Sequence, residues 1–95
     1  MHYTVTMNSN SNEIYEIANA LSNLEPQDGF KFLSEILTPS EIETLSKRWR
    51  ILKMLEQGNS QRDIAKQLNV SLCKVTRGAK ILKSPNSISS NLIKE

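Results

Sequence analysis

Ninety-five residues with a net charge of +2, 5% aromatic content and only three glycines and three prolines make one small domain whose apolar residues, mainly Ile and Leu, suit helices. One cysteine (Cys73) excludes an internal disulfide framework, and one histidine (His2) leaves no cysteine–histidine metal site; no acid, base and nucleophile converge, so neither a metal, a cofactor nor an enzyme is expected. No apolar run approaches the roughly 20 residues that span a bilayer, and the opening MHYTVTMNSNSN lacks the basic and apolar parts of a signal peptide, so a reducing cytoplasm is the expected compartment.

Residues 1 to 11 are polar and Asn/Ser-rich and read as a flexible arm. From Asn12, residues Ile14, Ile17, Ala18, Leu21 and Leu24 recur at helical spacing. Pro26 ends that helix or starts the next, whose apolar face is Phe30, Leu33, Ile36 and Leu37. The stretch TPSE at 38–41 predicts a helix start: Thr38 as cap, Pro39 at the first helical position, and Glu41 completing a capping box. The helix runs to about Gln57, with Ile42, Leu45, Trp49, Leu52 and Leu55 as its apolar stripe and Gly58 as its stop. Trp49 is expected at a helix or dimer seam.

Ser60 caps the next helix, which buries Ile64, Ala65 and Leu68. Asn69, Val70 and Ser71 form a turn, with Asn69 at the position that commonly needs a left-handed backbone. Ser71 caps a helix carrying Leu72, Val75, Ala79 and Leu82. Pro85 opens a last short helix over 85–95, with Ile88 and Leu92 four apart. The domain is therefore all-helical: core helices over 12–58, a helix-turn-helix over 60–83 and a short C-terminal helix.

A plain helical hairpin would account for the apolar positions of residues 60–83. It would not account for the polar side of the second helix, where Cys73, Lys74, Thr76, Arg77 and Lys80 include no acid. Arg62 is also placed for a groove or backbone contact. Charge points the same way. Residues 1–46 hold one basic and seven acidic residues, a balance of −6, whereas residues 47–95 hold eleven basic and three acidic, a balance of +8. An acidic half and a basic half fit a scaffold and a surface that meets a polyanion; the alternative is a solvated basic face.

The run LTPSE, then KRWR, SQRDIAKQLNVS and VTRGAKILK, resembles the bacterial tryptophan repressor family over roughly residues 35 to 84. The resemblance implies a six-helix protein, an intertwined homodimer with two projecting helix-turn-helix heads. These would enter successive major grooves of a palindromic operator about 34 Å apart. It also implies L-tryptophan as corepressor. Arg48 and Arg77 would sandwich the indole, with Arg77 and Thr38 also on the carboxylate; Leu37 would offer its carbonyl to the ammonium, and Gly78 would line the indole slot. DNA contacts would fall to Gln61, Arg62, Leu72, Cys73, Lys74, Thr76 and Lys80, with Lys83 peripheral.

The chain departs from the family at several of these places. Where a family serine hydroxyl helps to hold the ammonium, this sequence has Ile81, and Glu35 stands where an apolar residue is usual. The Glu35 carboxylate is therefore expected to face the ammonium instead. Lys74 replaces a small hydroxyl residue, and the loop EQGNSQ is shorter than the usual form. Ile81 leaves a second expectation open: a helix-turn-helix regulator that is ligand-independent or answers to another small ligand. A protein-binding module with a basic face is the rival from another class.

Overall fold

The computed structural model describes residues 9–95, with side chains from Ser11 onward. Six α-helices and no strand occur among the described residues: α1 Ser9–Ser22, α2 Pro26–Ile36, α3 Pro39–Glu56, α4 Gln61–Leu68, α5 Leu72–Lys83 and α6 Ile88–Lys94. The expected all-helical, six-helix architecture is thus the observed one. Most of the expected arm lies outside the described residues. Helix α1 begins at Ser9, ahead of the expected Asn12. No helix among the described residues is long and apolar enough to cross a membrane.

The chain divides into two compact units, one ending at Thr38 and the other comprising Pro39–Glu95. In the first, Pro26 opens α2 rather than closing α1, as its missing N–H and fixed φ favour. Neither helix fully buries any of its described side chains. Ile17, Leu21, Phe32, Leu33 and Leu37 are half-buried, but Ile14, Phe30 and Ile36, all expected on inward stripes, are exposed.

The second unit holds the core. Ile64 and Val75 are fully buried, Ile51 and Leu52 nearly so, and Met54, Leu55, Ala65, Leu68 and Val70 pack around them. Helix α3 supplies one wall and α4 and α5 the others. The expected stripe of α3 is split: Leu55 faces this core together with Ile51, Leu52 is buried beside Gly78 of α5, and Ile42, Leu45 and Trp49 stay exposed.

Helix α3 ends in a Schellman closure. Gly58 adopts φ 93°, its N–H donates to Leu55 O at 3.0 Å, and the Asn59 N–H donates to Met54 O at 3.1 Å. At the other end of the unit, Pro85 does not open α6. It occupies a turn in which Asn86 has φ 61° and the Ser87 N–H donates to Ser84 O at 3.3 Å, as in a type II turn. Ser87 then caps α6, accepting from the Ser90 N–H at 3.0 Å. Ile88 and Leu92, the expected apolar pair, are exposed, and Ser90 is the buried residue.

Candidate functional site

The helix-turn-helix forms as its local signals dictate. Ser60 Oγ accepts from the Asp63 N–H at 3.1 Å, and Ser71 Oγ accepts from the Lys74 N–H at 3.4 Å. Between the two helices Asn69 is left-handed, with φ 55° and ψ 51°. The Val70 N–H returns to Ala65 O at 3.0 Å, closing α4 and turning the chain sharply into α5. Ile64 and Val75 then lock the two helices on α3.

Three stripes of α5 have three different surroundings. Val75 and Gly78 are buried, with Ala79 and Leu82 half-buried beside them. A second stripe, Lys74, Arg77, Gly78 and Ile81, follows the i, i+3, i+4, i+7 spacing of one helix face. With Arg48, Ile51 and Leu52 of α3 it lines a cleft of about 270 Å³. The third stripe is exposed and carries Leu72, Cys73, Thr76, Lys80 and Lys83. Arg62 is exposed on α4, and Gln61 is half-buried.

The Thr76 hydroxyl donates to Gln61 Oε1 at 2.8 Å, tying the exposed stripe of α5 to the start of α4. This leaves the Gln61 amide with its two N–H donors and the Thr76 oxygen with acceptor capacity. Sequence reasoning had both residues on the DNA side, but nothing in their spacing of fifteen residues signals the bond between them.

Of the residues expected at the ligand, Arg48, Arg77, Gly78 and Ile81 are brought together at the cleft. Glu35 is exposed near the end of α2. Leu37 follows it, its N–H donating to Leu33 O at 3.0 Å, and Thr38 is the last residue of the first unit. Lys74 was expected on DNA alone, yet it lines the cleft. Its i+3, i+4 and i+7 relation to Arg77, Gly78 and Ile81 was the available signal. Ile51 and Leu52, three and four residues after Arg48, were missed as the cleft's apolar floor for want of the same check.

Gly78 has a tighter constraint than an open slot. A Cβ built on it would stand 2.9 Å from Ile51 Cγ2, 3.3 Å from Leu55 Cδ1 and 3.5 Å from Leu52 Cδ2. The glycine lets α5 approach α3 closely, and the cleft opens beside that approach.

Among the described residues no group of histidine, cysteine, aspartate and glutamate could hold a metal ion. What the head can do chemically is present cations and polar groups on one side of α5, and an apolar cleft rimmed by cations on another.

The family model described as Trp repressor protein matches residues 12–95. A protein of Xylella fastidiosa named Trp operon repressor homolog is 44% identical over 68 residues, covering 70% of this chain and 74% of its own length. A Trp operon repressor homolog of Vibrio parahaemolyticus is 35% identical over 74 residues, covering 77% of this chain and 72% of its own. The matched span takes in all of the head, the cleft and the helices before them, and on that extent of likeness the chain belongs to the Trp repressor family.

Proposed function

We propose that this protein is a transcriptional repressor that binds operator DNA as a homodimer and is switched into its binding form by L-tryptophan. The family is one of regulators rather than enzymes. The observation that carries the reading is the division of α5: Arg77 and Gly78 meet Arg48 at a cleft, while Cys73, Thr76 and Lys80 are exposed on another stripe of the same helix, which holds no acid.

A flat ring over Ile51 and Leu52, between the two guanidiniums, would gain both apolar contact and cation–π attraction. Its carboxylate would suit the fork of Arg77. A ligand bound there adds contacts to α3 and α5 together, so it favours the head orientation in which the cleft is closed on it. By reciprocity, operator DNA tightens the ligand by the same factor.

Exposed Ile42, Leu45 and Trp49 on α3 support the homodimer, and a more open hollow of about 470 Å³ runs beside Leu45, Ser46, Trp49, Arg50 and Lys53. Gln61, Arg62, Leu72, Cys73, Lys74, Thr76, Lys80 and Lys83 would carry groove and phosphate contacts.

A mobility-shift titration on the region upstream of the protein's own gene, with and without L-tryptophan, tests this. The expected result is a specific complex that survives competitor DNA and tightens at least tenfold with the amino acid. A specific complex indifferent to L-tryptophan would favour the second reading, a regulator ungated or gated by another ligand. The half-buried, hydroxyl-free Ile81 at the cleft is the observation behind that reading.

A further inference from the structure

We propose that Lys74 is a third cation of the cleft and holds the ligand's carboxylate beside Arg77. The proposal rests on the reading of this cleft as the ligand site. It assigns to Lys74 a role in the ligand's affinity that its place on a DNA-reading helix does not require.

Three cations (Arg48, Lys74 and Arg77), three aliphatic residues (Ile51, Leu52 and Ile81) and Gly78 line the space, with no acid among them. The described residues give none of the three cations an ion-pair partner; the ion pair on α3 joins Lys47 to Glu43 at 3.9 Å. All three are exposed, so solvent screens their mutual repulsion, and a carboxylate among them would accept N–H bonds from guanidinium and ammonium together.

The backbone at Lys74 is held by the cap of α5. Its N–H is bound by both Ser71 Oγ, at 3.4 Å, and Ser71 O, at 3.2 Å. The side chain therefore leaves from an ordered first turn, one turn before Arg77 on the same stripe. Ile81 offers no acceptor, so an ammonium finds no partner in this lining.

The test is calorimetric, on the full chain without DNA, using indole-3-propionate, its neutral amide indole-3-propionamide, and L-tryptophan. Lys74→Met is expected to weaken the acid and L-tryptophan about tenfold, the size of one charge-assisted hydrogen bond. The amide should change less than about twofold, and Lys74→Arg should recover most of the loss. Equal losses for acid and amide would make Lys74 a packing residue and overturn the proposal. If Lys74→Met changes neither ligand while Arg77→Met abolishes both, the cleft reading stands and the role given to Lys74 falls. If the unaltered protein binds no indole carboxylate at all, the cleft reading falls and takes this proposal with it.

Discussion

At Gly78 a missing side chain serves two neighbours at once. One is the cleft it lines and the other is Ile51, whose Cγ2 would stand 2.9 Å from an added methyl. Glycine in a helix interior costs about 1 kcal/mol against alanine, so Gly78→Ala would stabilise the chain were the space open. Ile51 is only 3% exposed and sits in the core, so it has little room to give way. Gly78→Ala is therefore expected to destabilise the protein by a net ~1 kcal/mol, within the usual cost of overpacking. Urea unfolding of Gly78→Ala, Ile51→Ala and the double variant checks the mechanism: the double variant should lose clearly less than the two single losses together. Thr76 and Gln61 show the opposite kind of residue-scale economy, since their mutual hydrogen bond orients the Gln61 carboxamide within the head. No spacing rule joins two polar residues across a turn, which is why that contact was invisible in the sequence.

Helix-scale features divide by how local their causes are. The backbone course of α4–turn–α5 was legible because each signal acts within four residues: serine caps at 60 and 71, a left-handed Asn69, and apolar residues at 64, 68, 70 and 75. Asn69 gives a direct check. Its φ of 55° is a region that costs most side chains about 1–2 kcal/mol. Asn69→Gly should leave the melting midpoint nearly unchanged, whereas Asn69→Val should destabilise by about that amount in denaturant titrations; equal stability for the two would remove the turn from the account of the head. Helix α3 was only partly legible. Its apolar residues occupy more than one face, and periodicity cannot tell which face meets α5 and which is left for another partner. Thus Ile51 was missed from the core, while Ile42, Leu45 and Trp49 were assigned to one stripe with Leu52. In α6 a correct spacing of four between Ile88 and Leu92 marked a stripe that is exposed; small Ser90 packs inward instead.

On the scale of the whole molecule, burial is sparse. Ile51, Leu52, Ile64 and Val75 are the buried hydrophobics among the described residues, and Ile14, Phe30, Ile36, Ile42, Leu45 and Trp49 remain exposed. Chains of this length have a narrow margin for folding alone, and exposed apolar area on this scale marks an interaction surface. The proposed homodimer follows from that imbalance. Trp49, the single tryptophan and 45% exposed in the protomer, reports it directly. In the absence of added L-tryptophan its emission should move to the blue as protein concentration rises, and sedimentation equilibrium should give twice the chain mass. Leu45→Lys should shift both towards the monomer and weaken operator binding more than tenfold. A folded species of single-chain mass at tens of micromolar would refute the dimer. The cations of residues 47–95 lie in the part that carries α5, the helix proposed to meet DNA.

The close approach at Gly78 also bears on how a lineage of such proteins would lose its effector. Relaxed selection on the ligand would free Arg77, which is exposed and has no ion-pair partner among the described residues, but not Lys74, which the proposed DNA contacts would still use. It would not free Gly78, because Ile51 still forbids a methyl there. A descendant that had abandoned its small molecule would therefore keep the glycine and shed the arginine, and Arg77 is where drift should first be sought.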